Sequence, residues 1–276
     1  MAFLFTMAIL TNAQYYAKLN DKSIVVQPET GFENKTIADY IAGLDTKQID
    51  GYRAYWQAIT PQTDEEHYKR WLFAFLSVHC GWKANVKGYL NVTRETFRSK
   101  QELTDIISSS GVGLIKMRSR GMWEFTQTFF ANPGFWRKKP TETWDMFRHR
   151  TMNQVHGLGY AKTAFAIELC YPNECEVTCL DTHMLQLYGQ KPSPVPSPSR
   201  YKTLEQHWVV QCNLRNIPPF MARNVYWDKV QSQNDTRYWS YVFEQPGFNK
   251  QGEVFTRGTN EVLEQVRVQN SAPARA

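Results

Sequence analysis

The chain has 276 residues, a formal net charge of +6 and a pI near 9.0. At 42% hydrophobic and 14% aromatic content it can bury a large core, which excludes a disordered tail or a low-complexity linker protein. The basic excess suits a polyanionic partner, although charge alone is a modest signal. No apolar run reaches membrane length, so no membrane partner is expected.

The opening ten residues, MAFLFTMAIL, are apolar but lack a leading Lys or Arg and a small-residue cleavage site. They read as a buried first strand, or as sequence ahead of a later start at Met7. Residues 1–60 form a polar lead-in with helical pieces around 36–43 and 47–58 and no visible chemistry. From Asp64 the pattern sharpens. Asp64, Glu65 and Glu66 complement a helix dipole, and Trp71, Phe73, Phe75 and Leu76 recur at helical spacing.

Residues 94–130 contain Ser110-Gly111-Val112-Gly113, then the basic cluster Lys116, Arg118 and Arg120, then a helix with Met122, Trp123, Phe125 and Phe129. The cluster reads either as phosphate contacts or as a solvated helix face. Asn132-Pro133-Gly134 breaks the chain. The basic and aromatic strip Phe135-Trp136-Arg137-Lys138-Lys139-Pro140 then reads as a loop able to touch a phosphate backbone or stack on a base. Residues 143–155 form a helix with Trp144, Met146, Phe147, Met152 and Val155 as packing positions.

The densest chemistry lies in 153–189. His156-Gly157-Leu158-Gly159 reads as a tight hairpin, because glycine takes φ > 0 and brings bare backbone close to a partner. A helix with the formers Ala161, Lys162, Ala164, Ala166, Glu168 and Leu169 starts where the glycines end and runs from Ala161 to Leu169. Its N-terminus offers unpaired N–H groups and a positive dipole end, a phosphate site that needs no side chain. After a turn at Pro172 and Asn173, Asp181 heads a second apolar helix in Leu180-Asp181-Thr182-His183-Met184. Asp is a favoured N-cap, so a capping role stands beside a catalytic one.

Gly157, Gly159, Asp181 and His183 at this spacing resemble the helix-hairpin-helix (HhH-GPD) DNA glycosylase superfamily. The resemblance implies a mostly α, two-lobed helical HhH-GPD fold. Its catalytic domain would span 61–245, with a Pro/Ser linker at 191–199 and a polar tail at 246–276. It also implies double-stranded DNA as partner. Gly157, Leu158, Gly159 and Tyr160 would grip the backbone, and Lys116, Arg118 and Arg120 would contact phosphates. Asp181 is the implied catalytic carboxylate, with His183 in support. Phe75-Leu76-Ser77-Val78-His79-Cys80-Gly81-Trp82-Lys83-Ala84-Asn85-Val86 is similar to the family's stretch in which a turn between two helices probes the gap left by a flipped base. His79 stands at the probing position, either as a DNA wedge or as a satisfied core histidine.

Bifunctional relatives carry a Schiff-base lysine two positions after the second glycine, where this chain has Ala161. Lys162 lies one residue later, and one residue rotates a side chain by roughly 100° around a helix. Either Lys162 still enters the pocket as a catalytic group, or it binds phosphate in an enzyme without a lyase step; the second is favoured. Cys170, Cys175 and Cys179 precede the aspartate, whereas the family's iron–sulfur cysteines follow it. They read as small apolar residues rather than as metal ligands. The five cysteines are an odd number in irregular spacing, which suits reduced thiols in the cytoplasm.

Gly-Leu-Gly followed by Lys162 and Phe165, then Cys179-Leu180-Asp181-Thr182-His183-Met184-Leu185, resembles more narrowly a phage branch of the superfamily. That branch includes the amino acid:DNA transferases of thymidine hypermodification. The resemblance implies attack by an amino acid's amine on an activated 5-(phospho)methyl group of a deoxyuridine in DNA. The co-substrate would be an amino acid, no cofactor or metal is expected, and a phage-encoded monomer would work in the host cytoplasm. A monofunctional DNA N-glycosylase is the alternative, and a non-catalytic DNA-binding hairpin module is the third reading.

Overall fold

A computed structural model describes residues 34–77, 80–95, 97–191, 195–230, 236 and 239–243. The chain divides into two units at Glu33/Asn34, and all that follows concerns the second. The N-terminal apolar decapeptide, His79 and the polar tail lie outside the described residues.

The described residues are helical and contain no strand. The helices are α1 (Asn34–Ala42), α2 (Thr46–Ala58), α3 (Asp64–Leu76), α4 (Trp82–Arg94), α5 (Lys100–Ser108) and α6 (Ile115–Ala131). A 3₁₀ turn at Pro133–Trp136 leads to α7 (Trp144–Met152), α8 (Tyr160–Cys170), α9 (Thr182–Leu187), α10 (Pro198–Asn213), α11 (Pro219–Val230) and α12 (Trp239–Val242). None is long and apolar enough to cross a membrane.

Local sequence sets most of the starts. Thr63 accepts from the Glu66 N–H while the Glu66 carboxylate accepts from the Thr63 N–H, a capping box at the head of α3. Asp45, Ser99, Thr143, Asp181 and Ser197 cap α2, α5, α7, α9 and α10 with their side chains. Gly81, Leu114 and Gly159 head α4, α6 and α8 without a side-chain cap.

Two groups of helices result. In the first, α3 packs on α4, α6 and α8, with α5 against α4 and α6 and α7 against α8. In the second, α10 packs on α1 and α11, and α11 on α2 and α9. Trp56, Trp71, Trp136 and Trp208 are fully enclosed in this core.

Three expectations are corrected. Residues 34–60 are no lead-in: Tyr52 donates to Asp228 at 2.8 Å, Tyr40 donates to the Ala222 carbonyl at 3.1 Å, and Trp56 packs edge-on to Phe220. The Pro/Ser stretch is shorter than 191–199, because Ser197 and Pro198 already form the cap and first turn of α10. The basic strip is no free loop. Trp136 is buried, Arg137 pairs with Asp64 at 2.7 Å, and Lys138 donates to the Glu142 carbonyl at 2.7 Å. Arg150 stacks over Phe135 and pairs with Glu142, closing the strip onto α7. Of the packing positions expected in 143–155, Phe147 on α7 and Val155 after it are buried, but Met146 is 55% exposed.

Candidate active site

The hairpin joins α7 to α8. Gly157 has φ +85°, which needs glycine, whereas Gly159 is extended at φ −130° and heads α8. No side chain caps the first turn of α8, so its N–H groups face outward with the positive end of the helix dipole. A Cβ at Gly159 would meet nothing within 4 Å. Open space of this kind admits a partner's backbone.

Helix α6 supports the hairpin from below. A Cβ at Gly121 would stand 2.3 Å from the His156 carbonyl oxygen, so only glycine lets α6 approach this closely. The His156 N–H donates to Glu124 at 2.8 Å, and Arg120 holds the same carboxylate at 2.9 Å. Tyr160 is tied to α7 through His149, at 3.2 Å, and lies under the Arg148 guanidinium. Leu158 is half-buried against the core.

The segment leading to Asp181 is extended but has no strand beside it. The Asp181 N–H donates to the Cys179 carbonyl at 3.0 Å, and the three donors before it go to side chains. The Thr178 N–H donates to Glu205 at 2.8 Å, the Cys179 N–H to Glu168 at 3.1 Å, and the Leu180 N–H to the Tyr201 hydroxyl at 2.9 Å. Tyr201 donates onward to the Thr178 carbonyl at 2.8 Å. This strap fixes the head of α9. One Asp181 oxygen, Oδ1, accepts from the His183 and Met184 N–H groups, each at 3.0 Å. The other, Oδ2, lies 3.9 Å from Arg223 Nη1. Arg223 is itself clamped on Glu168, Nε to Oε1 at 2.9 Å and Nη2 to Oε2 at 2.7 Å. Burial pushes the Glu168 carboxyl up to about 7, an effect only partly offset by Arg223.

Asp181 opens onto a cavity of about 360 Å³ between the two helix groups. That volume is at the small end of the range for small-molecule sites, ~300–1,000 Å³. Phe73, Trp82, Phe165, Trp227 and Trp239 provide flat apolar walls. Ser77, Asn85, His183, Arg223 and Asn224 add polar groups beside the carboxylate. Flat aromatic walls around a few fixed polar groups suit a planar heterocycle.

The residues expected to act are only partly brought together. Asp181 and His183 line the cavity; Lys162 does not. The Lys162 side chain is buried behind the hairpin, 5.8 Å from the centre of the Phe75 ring. Burial, with Arg118 nearby as a second cause, lowers its ammonium to about 8. Lys116 and Arg120 are exposed on α6, but Arg118 is 1% exposed. Its position on α6 turns the guanidinium into the core, so the reading of Arg118 as a surface phosphate contact is corrected. Cys170, Cys175 and Cys179 are buried free thiols, each pushed up by burial. Glu205, Arg223 and Gly121 had no part in the sequence reading, Glu168 entered it only as a helix former, and Asn85 only within the stretch 75–86. A lone glutamate inside the apolar run of α8 was the available signal for Glu168.

No family model matches the sequence, and no curated protein sequence does. Solved structures do match. The 8-oxoguanine DNA glycosylase of Thermotoga maritima superposes with a TM-score of 0.61 at 12% identity, over 74% of this chain and 100% of its own. The 8-oxoguanine glycosylase/lyase of Methanocaldococcus jannaschii, in complex with a 15-mer DNA containing 8-oxoguanine, gives 0.58 at 15% identity, over 72% and 97%. The chain therefore has the mostly helical HhH-GPD DNA glycosylase fold.

Proposed function

We propose that this protein is an enzyme that acts on a base extruded from double-stranded DNA. The observation that carries the reading is the Asp181 carboxylate. One of its oxygens is spent on its own helix, and the other faces an aromatic-walled cavity beside Arg223. The uncapped, open hairpin would hold the DNA backbone alongside.

The finer proposal is an amino acid:DNA transferase. The amine of a free amino acid attacks the 5-methylene carbon of an activated thymine-derived base. A carbon–nitrogen bond forms, the carbon–oxygen bond to the phosphate or pyrophosphate breaks, and the leaving group departs with the electron pair. Asp181 takes the proton lost by the ammonium. The charge pattern favours this chemistry: a zwitterion brings a cation for Asp181 and an anion for Arg223. No lysine lines the cavity among the described residues, which gives a Schiff-base lyase step no support.

The second reading is a monofunctional N-glycosylase. The two glycosylase neighbours favour it, since Asp181 could equally stabilise positive charge developing on the sugar. Mass spectrometry separates the two. The protein is incubated with an amino acid mixture and DNA carrying 5-hydroxymethyluracil, its 5-phosphorylated forms, uracil or thymine. A nucleoside heavier by an amino acid, with no base released, is the expected result. Free base with alkali-labile sites would replace the transferase by the glycosylase. Tight DNA binding with neither product would leave only a binding module.

The hairpin has its own test. Gly159→Ala adds a methyl in open space at an ordinary φ, so melting temperature should not change. Binding to a short duplex should weaken, by about tenfold, if DNA backbone approaches there. Unchanged binding would remove the hairpin from the interface.

A further inference from the structure

Asn85 sits on α4 with only 3% of its surface exposed, and it lines the cavity that Asp181 opens onto. Its carbonyl oxygen is buried and has no hydrogen-bond partner among the described residues. Its counterpart across the cavity behaves differently: Asn224, also buried, donates its amide to the Thr236 hydroxyl at 2.6 Å. One amide is spent on the fold and the other is left open. A buried acceptor without a donor costs the folded state free energy, and that cost is recovered when a donor arrives. The neighbours of Asn85 on the same helix, Val86, Tyr89 and Leu90, already supply the packing face of α4.

From this we infer that Asn85 is a specificity-determining residue that reads the edge of the extruded base, a role that rests on the base-extrusion reading above. Its carbonyl accepts an N–H from the base and its NH₂ group donates to the adjacent C=O. The chemical class that fits both is a lactam edge, an N–H beside a carbonyl. A uracil-type pyrimidine and an oxopurine of the hypoxanthine type both carry one. The aromatic walls hold the ring plane while Asn85 tests its edge.

The experiment uses short duplexes with a single uracil, 3-methyluracil, hypoxanthine or 1-methylhypoxanthine, each opposite an abasic analogue so that no pairing differs. Methylation removes the N–H and leaves the carbonyl. Dissociation constants are measured by fluorescence anisotropy for the wild type and for Asn85→Leu. Methylation should weaken wild-type binding by about tenfold or more in one series and by less than about twofold in Asn85→Leu. The series that responds tells the pyrimidine from the oxopurine. Asn85→Leu should melt at or above the wild-type temperature, because it removes an orphaned acceptor.

The inference is overturned if methylation leaves wild-type binding unchanged in both series. It is also overturned if folded Asn85→Leu suffers the same penalty. The wild-type comparison stands even if the variant does not fold. If the wild type binds all four duplexes no better than a fully paired one, base extrusion itself fails. A preference for them without a methylation effect would sink only the assignment of Asn85.

Discussion

Two buried glutamate–arginine pairs strap the same extended segment, and they differ in what is left over. Glu205 and Arg148 join α10 to α7, and Glu205 also accepts from the Thr178 N–H. Arg148 is closed on its far side by Asp145, which pairs with it at 2.5 Å and with Lys202 at 2.9 Å. Glu168 and Arg223 join α8 to α11, and Glu168 accepts from the next amide, Cys179 N–H. Here the second carboxylate is Asp181, and it stands back at 3.9 Å. The first set closes both terminal nitrogens of its arginine on carboxylates and holds the chain. The second keeps the same clasp but leaves one carboxylate oxygen loosely bound at a cavity. A site has been made from a structural device by withholding one contact.

The sharpest test of that difference is Asp181→Asn. Asn caps a helix about as well as Asp, so the two bonds at the head of α9 survive and the fold should be retained. Turnover on the DNA substrate should fall by about 10²–10⁴-fold, as for a lost general base. Full activity would reduce Asp181 to a cap.

The two arginines should then separate by stability. Arg148→Met strands Glu205 and should cost about 3–5 kcal/mol in denaturant unfolding. Arg223→Met strands Glu168, whose carboxyl already sits near 7 and can take up a proton instead. Its loss should be smaller, because Arg148 also holds Asp145, and since burial raises the Glu205 carboxyl too, both losses should depend on pH. A carboxyl whose folded pKa is raised binds a proton that the unfolded chain has released. Stability of Arg223→Met should therefore climb as pH falls from above 7 toward the ordinary carboxylate range near 4.5. Equal losses in the two variants would erase the comparison.

The features legible in the sequence are the short-range ones. Gly157, the helix after it and the Asp181 cap are set by residues within a turn or two of one another, and they stand as read. The Ser99 cap on the Glu102 N–H at the head of α5 is equally local, although the sequence reading passed over it. The clasps were not legible, because Arg148 meets Glu205 and Arg223 meets Glu168 only once distant helices pack. The same blindness misassigned the basic strip, whose Arg137 is held by Asp64 and whose Lys138 is held by the Lys139 and Glu142 carbonyls. Arg118 was misread for a related reason: composition shows a charge, while the face of α6 that carries it appears only after packing.

Lys162 extends the comparison to a buried cation with no carboxylate clasp among the described residues. It lies under the first turn of α8, where its charge adds to the helix dipole that faces the hairpin's partner. Burial and Arg118 lower its ammonium from 10.5 to about 8, so it stays charged at neutral pH at a cost to stability. That cost is complete below pH 8 and disappears as pH rises from about 8 to 10.5, where the unfolded chain also gives up its proton. Lys162→Met should therefore be more stable than the wild type at pH 7, by an amount that shrinks to nothing near pH 10.5. In the same variant duplex binding should weaken modestly, and its salt dependence should lose up to about one charge. A gain in stability with unchanged DNA binding would show a buried lysine that the fold merely tolerates. A joint change would identify the ammonium as the cation that the hairpin keeps unclasped for phosphate.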